Sequence, residues 1–177
     1  MRVISGEARG RNLRATLPEA VRPTTDRVKE SIFDILGSFG GVVDLEVVDL
    51  FCGSGALGIE ALSRGASSVV FVDADPLCLE AARENLAMVG LDPTKARFVR
   101  ASFPGWTSGP VDLVLADPPY GLDVASDLLA SLDTATLVLE SRVAPIVPEG
   151  WVSLRQRTYG TTLVTVLNRK ISESSRS

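Results

Sequence analysis

From residue 46 onward, short apolar runs alternate with longer segments whose apolar residues recur at three- and four-residue spacing, the helical period. The runs at residues 47–51, 69–72, 97–100, 111–116 and 137–140 predict strands. The periodic segments at 57–64, 77–88 (closed by Gly90) and near 124–132 predict helices. Most of the strand runs are predominantly apolar, which suits a sheet covered on both faces. With helices between them, this predicts an α/β fold around a mostly parallel sheet. Residues 151–157 and 161–167 predict a closing antiparallel pair. Upstream, Val3-Ile4-Ser5 and residues 12–15 flank a glycine-containing turn and predict a hairpin. Residues 18–23 are a linker. Thr24, Thr25 and Asp26 are N-cap candidates for a helix over 26–37, with Val28, Ile32, Ile35 and Leu36 on one face. The expected division is a hairpin arm (1–22), a main domain (23–169) and a frayed, Ser-rich tail (170–177).

Composition narrows the chemistry. A chain of 177 residues, 45% of them apolar, suffices for one well-filled core. There is no histidine, which excludes Ser-His-Asp and Cys-His catalysis and His-ligated metal sites. Cys52 and Cys78 alone make neither a disulfide framework nor a four-cysteine zinc site, so no metal is expected. No apolar run reaches the ~18 residues of a membrane span, and no signal-type apolar region follows Arg2, so a cytoplasmic protein with no membrane contact is expected. The net charge is −4, but residues 1–29 carry +4 and the remainder −8. A basic arm on an acidic body suits a phosphate-binding footprint, with Arg2, Arg9, Arg11, Arg22 and Arg27 as candidates. A solvated hairpin accounts for the charges equally well.

Two segments carry the chemistry. Gly53, Gly55 and Gly58 form a G-x-G-x-x-G pattern between a strand and a helix, and Asp73 ends the next strand, 15 residues beyond Gly58. The pattern suits a nucleoside cofactor whose ribose hydroxyls the acid accepts, and does not by itself separate NAD from S-adenosylmethionine (AdoMet). Asp49 lies four positions before Gly53. It would repel a pyrophosphate and favour the ammonium and sulfonium of AdoMet. Cys52 reads as a small residue filling the turn, since nothing near it in sequence would activate a thiolate.

The second segment, Asp117-Pro118-Pro119-Tyr120, ends the 111–116 run. An exocyclic amine of a nucleobase is a poor nucleophile because its lone pair is delocalised into the ring. The Asp117 carboxylate and the Pro118 carbonyl can hold its N–H bonds, on a backbone stiffened by two prolines. Tyr120 offers a face for stacking an extruded base. The bland alternative is that Pro-Pro merely terminates a strand.

With these motifs the chain resembles the bacterial small-subunit ribosomal RNA guanine-N2 methyltransferase family (methyltransferase D type). The resemblance runs through Arg2-Val3-Ile4-Ser5-Gly6, Arg9-Gly10-Arg11, residues 22–31 with Arg-Pro-Thr-Thr-Asp-Arg, residues 49–64 and Asp117 to Tyr120. It implies a class I, Rossmann-like methyltransferase fold with seven strands, AdoMet as cofactor and a guanine of 16S ribosomal RNA as substrate, either naked or in an assembling small subunit. It further implies Asp117, Pro118, Pro119 and Tyr120 as the clamp, and Asp49, Phe51, Gly53, Gly55, Gly58 and Asp73 at the cofactor. Arg22, Thr24 and Arg27 would touch RNA, the methionine end of AdoMet, or both. Where many relatives place an acid near the adenine, this chain has Ala101-Ser102-Phe103, so Ser102 would bond the adenine amine and Phe103 pack on its ring. A monomer is expected. A DNA adenine-N6 or cytosine-N4 methyltransferase, and a non-catalytic RNA-binding assembly factor, are the alternatives.

Overall fold

The structure is a computed structural model and describes residues 1–14, 25–119 and 124–170. After the N-terminal hairpin come α1 (Asp26–Gly37), β1 (Glu46–Leu50), α2 (Ala56–Ser63), β2 (Ser68–Asp73), α3 (Pro76–Met88), a 3-10 turn (Pro93–Lys95), β3 (Ala96–Arg100), β4 (Val111–Ala116), α4 (Ala125–Ser131), β5 (Thr134–Ser141), β6 (Trp151–Tyr159) and β7 (Thr162–Arg169). The strands form one seven-stranded sheet in the order β3-β2-β1-β4-β5-β7-β6. Pairs from β3 to β5 are parallel, and β7 and β6 join antiparallel. The chain winds outward in both directions from β1 and β4, so the switch of direction lies between those two strands, where ligands bind in such sheets.

Side chains alternate across the sheet and build a core on each face. Val47, Phe71, Leu115, Val138 and Val166 pack under α1, α2 and α3. Val48, Leu50, Val114, Leu137 and Leu139 pack with α4 and Trp151 on the other face. Helix starts follow the sequence signals: the Thr25 hydroxyl accepts from the Val28 N–H (3.3 Å), and Asp75 accepts from the Leu77 N–H (2.9 Å) ahead of Pro76 in the first turn of α3. Boundaries shift by one to three residues, with β5 beginning at Thr134 and β6 running on to Tyr159, and one shift bears on the cleft. The expected first strand included Phe51, but β1 ends at Leu50, and Phe51 takes φ 61° to begin the turn.

The hairpin exists, with Val3 N–H to Arg11 O at 2.9 Å and Leu13 N–H to Met1 O at 2.9 Å. It is not a freely solvated one. Val3, Ala8 and Leu13 are buried in the same core as α1 to α3. The N–H groups of Ile4 and Ser5 donate to the Glu60 carboxylate on α2 at 2.8 and 3.0 Å. Glu60 is paired with Lys29 at 3.3 Å, both side chains fully buried, and with Arg64 at 2.8 Å. Lys29 also donates to the Arg2 carbonyl at 2.5 Å. Gly6 lies so close to α2 that a Cβ there would fall 1.7 Å from the Ser63 carbonyl oxygen. No helix among the described residues is long and apolar enough to cross a membrane.

Candidate active site

A cleft of about 850 Å³ opens at the carboxyl ends of β2, β1, β4 and β5. Its floor is the turn after β1. Gly53 (φ 51°) and Gly55 (φ 77°) supply left-handed conformations that L side chains rarely adopt, and Gly55 precedes the first residue of α2. Gly53 lines the cleft, as do Phe51, Cys52 and Ser54. Gly55 and Gly58 do not; they pack the helix on the sheet. A Cβ at Gly58 would meet the Phe71 ring at 2.4 Å, and one at Gly55 would meet the Ala82 Cβ at 2.9 Å. Their effect on the cleft is therefore indirect: they let α2 approach close enough to shape the turn.

Asp73, the last residue of β2, accepts the Gly53 N–H at 3.0 Å through one oxygen and the Asp75 N–H at 2.9 Å through the other. It braces the turn while lining the cleft. Asp49 is buried and accepts the Gly58 N–H at 2.8 Å. Burial holds its carboxyl well above the usual carboxylate range, the Gly58 bond opposes this, and the charges of Asp117 and Asp73 push it higher still. An anionic pyrophosphate would worsen that imbalance, whereas a cation would relieve it. The residues present therefore fit AdoMet better than a dinucleotide. Ser102 and Phe103 line the cleft, with the Phe51 and Phe103 rings edge-to-face at 6.1 Å.

Asp117, Pro118 and Pro119 enter the same cleft from the end of β4. Tyr120 lies outside the described residues, as do Arg22 and Thr24. Of the remaining candidate RNA contacts, Arg27 reaches the cleft from the first turn of α1. Arg2, Arg9 and Arg11 lie away from the cleft on the docked hairpin. Arg2 has its Nε 4.0 Å from Asp26, Arg11 bonds the Val89 carbonyl, and Arg9 is exposed. Burial, reinforced by Asp49 and Asp73, pushes the Cys52 thiol far up, and Cys78 is pushed up to about 11, so neither is a thiolate at neutral pH. Among the described residues no group of three or more Cys, Asp or Glu is placed to hold a metal ion.

Two parts of the cleft were missed in the sequence. One is the β6–β7 turn, residues 158–162, tied to α1 by a hydrogen bond between Tyr159 and Ser31. The other is Glu140 of β5, buried at the cleft wall. Its signal was available: like Asp73 and Asp117, it is an acid at the end of an apolar run. Register explains why these acids converge. Leu115 pairs with Val138 and Ala116 with Leu139, which sets Asp117 beside Glu140, and Asp49 pairs with Leu115. Alternation then directs Asp49, Asp73, Asp117 and Glu140 to the α1 face of the sheet.

The family described as Conserved hypothetical protein 95 matches residues 1–168. The ribosomal RNA small subunit methyltransferase D of Escherichia coli is 33% identical, over 99% of this chain and 93% of its own length. A candidate rRNA methyltransferase of Bacillus subtilis, YlbH, is 36% identical, over 96% of this chain and 100% of its own. Among solved structures, a candidate methyltransferase of Escherichia coli, yhhF, superposes with a TM-score of 0.81 at 31% identity, covering 96% of this chain and 98% of that one. The fold is that of the class I methyltransferases, and the chain belongs to the Conserved hypothetical protein 95 family, together with the ribosomal RNA small subunit methyltransferase D proteins.

Proposed function

We propose that the protein transfers a methyl group from AdoMet to the exocyclic N2 of a guanine in 16S ribosomal RNA. The observation that carries this reading is the meeting of two motifs in one cleft: Asp117-Pro118-Pro119 opposite the Asp49, Gly53 and Asp73 cradle. AdoMet supplies an electrophilic methyl group on a sulfonium. Asp73 would accept the ribose hydroxyls through the lone pairs its backbone bonds leave free. The turn at residues 51–54 and the Phe103 ring would enclose the nucleoside, with Ser102 at the adenine amine. Asp49 and its neighbouring carboxylates favour the cofactor's positive charge.

On the substrate side, Asp117 and the Pro118 carbonyl would hold the N2 hydrogens in the plane of the base and aim the lone pair at the methyl carbon. The stiff Pro-Pro backbone fixes both acceptors before the base arrives. After transfer N2 carries a positive charge, and Asp117 or water takes its proton. Tyr120 is assigned base stacking, and Arg27 with Arg22 and Thr24 the phosphate backbone beside the cleft, with Arg2, Arg9 and Arg11 as outlying contacts. The proposal is of a monomer acting in the cytoplasm without metal on an assembling small subunit, whose RNA is read by shape and by an extrudable base.

The test is incubation with methyl-labelled AdoMet and three substrates: small-subunit particles, naked 16S RNA and duplex DNA. Nucleosides are then identified by mass spectrometry. N2-methylguanosine in the RNA is expected. Label confined to DNA adenine or cytosine would move the reading to a DNA enzyme, and no transfer to any substrate would overturn it. Arg27→Ala should lower RNA affinity and flatten its salt slope by about one unit. An unchanged slope would remove Arg27 from the phosphate contacts.

A further inference from the structure

Glu140 has no part in the scheme above, and its setting is unusual. It lines the cleft with only 6% of its surface exposed. Its Oε1 is buried without a hydrogen-bond partner among the described residues. A buried carboxylate oxygen with nothing to accept from carries a desolvation cost that a purely structural position would shed. The same depth of burial around Glu60 is filled by Lys29, Arg64 and two backbone N–H groups. At Glu140 no donor among the described residues fills that place, and the residue lines the cleft.

Position says which donor fits. The β4–β5 register carries Asp117 and Glu140 side by side onto one face, and neighbouring strands lie about 4.8 Å apart. A flat base edge laid across the two strand ends would therefore meet both carboxylates. Guanine presents N2–H and N1–H next to each other along one edge, a row of donors. Adenine and cytosine present an amino group beside a ring nitrogen that is an acceptor. With Asp117 on the amine, the neighbouring ring nitrogen faces Glu140. For guanine that is N–H to carboxylate; for adenine or cytosine it is lone pair to lone pair.

We infer that Glu140 is a specificity-determining residue that accepts the N1–H of the target guanine. This rests on the guanine-N2 reading of the same cleft. The contact also does chemistry: a carboxylate drawing on the N1 proton raises electron density on the adjacent N2, countering the delocalisation that makes the amine a poor nucleophile. Burial and the charges of Asp117 and Asp49 disfavour ionised Glu140, while a cationic cofactor in the cleft and the N1–H donor restore it.

The experiment compares Glu140→Leu, which removes the acceptor at similar volume, with Glu140→Gln, which keeps one acceptor oxygen without the charge. Both are assayed on small-subunit particles, with AdoMet affinity by calorimetry and thermal midpoint alongside. Glu140→Leu should lose about 100-fold or more in kcat/KM for N2-methylguanosine formation, and Glu140→Gln about 10-fold. AdoMet affinity should stay within about twofold and the midpoint should not fall. Turnover of Glu140→Leu within about threefold of wild type would overturn the inference, as would a parallel loss of AdoMet affinity, which would assign Glu140 to the cofactor. If the leucine variant does not fold, the glutamine variant decides by the same criteria. Should wild type itself form no N2-methylguanosine, the proposed function fails; should wild type form it and both variants match its rate, only the assignment of Glu140 fails.

Discussion

Among the described residues, buried ionisable groups occur in two regions, arranged in opposite ways. Beneath the N-terminal hairpin, Glu60 and Lys29 are fully buried, and the carboxylate accepts from Lys29, Arg64, Ile4 and Ser5. Two cations meet the Glu60 carboxylate, Asp26 adds a second negative charge acting on Lys29, and both Glu60 oxygens are used. In the cleft, Asp49 and Glu140 are almost as deeply buried, the nearest charges are other carboxylates, and both acids are held well above their usual range, first by burial and then by those neighbours. The first arrangement ties two segments of chain together and needs nothing further. The second is stable only as far as the rest of the fold compels it, and it leaves an oxygen of Glu140 with no donor among the described residues. Burial alone does not separate a structural charge from a functional one; the balance around it does.

The largest effect is expected at the balanced cluster. Glu60→Ala leaves the buried Lys29 ammonium with the Arg2 carbonyl as its one hydrogen-bond acceptor among the described residues, and removes the acceptor of Ile4 and Ser5. It should cost about 3–5 kcal/mol in denaturant unfolding. A loss below about 1 kcal/mol would mean the cluster is not what docks the hairpin. Next comes the clamp. Asp117→Ala should lower the rate of transfer by about 10²–10³-fold while AdoMet binding measured by calorimetry stays near wild type. If AdoMet binding disappears with it, Asp117 belongs to the cofactor side and the division of the cleft between cradle and clamp is wrong.

The sequence revealed one of these regions better than the other. The succession of strands and helices and both cleft motifs follow from local patterns: apolar runs of strand length, helical spacing between them, glycines after one run and Asp117-Pro118-Pro119 after another. Each signal lies within a few residues, so it survives without a structure. Glu60 is different. In the sequence it is one polar position in an otherwise apolar helix, and its partners sit at positions 4, 5, 29 and 64. Arg64, four residues on, is the local partner; nothing local pairs Glu60 with positions 4, 5 and 29, and the +4 charge of residues 1–29 hid the fact that Lys29 faces inward. Glycine shows the converse limit. Gly58 fitted a cofactor pattern by spacing, yet the space it vacates is occupied by Phe71, a residue of the next strand. Glu140 closes a run as Asp117 does, but without Pro-Pro after it the position resembles an ordinary strand end; only the β4–β5 register sets the two side by side.

The smallest effect is the sharpest test of the comparison, because one chemical change is made in both regions. Glu140 has a folded-state pKa raised well above its ordinary 4.5. Between that ordinary value and the raised one, the folded protein holds a proton that the unfolded chain has released. Folding stability contributed by this group is therefore greatest at low pH and declines as pH rises through that window. Glu140→Gln removes the decline. The difference in unfolding free energy, variant minus wild type, should grow in the variant's favour from about pH 4.5 toward neutrality. Glu60→Gln, the same exchange of a carboxylate for an amide, should instead destabilise at neutral pH, because it leaves Lys29 and Arg64 without a counter-charge. Denaturant titrations across the pH range measure both. Opposite signs at the two positions uphold the distinction between a charge the fold completes and one it leaves open. A Glu140→Gln difference flat with pH would mean that its carboxylate is already satisfied in the folded chain, and the donor expected from a substrate would not be needed there.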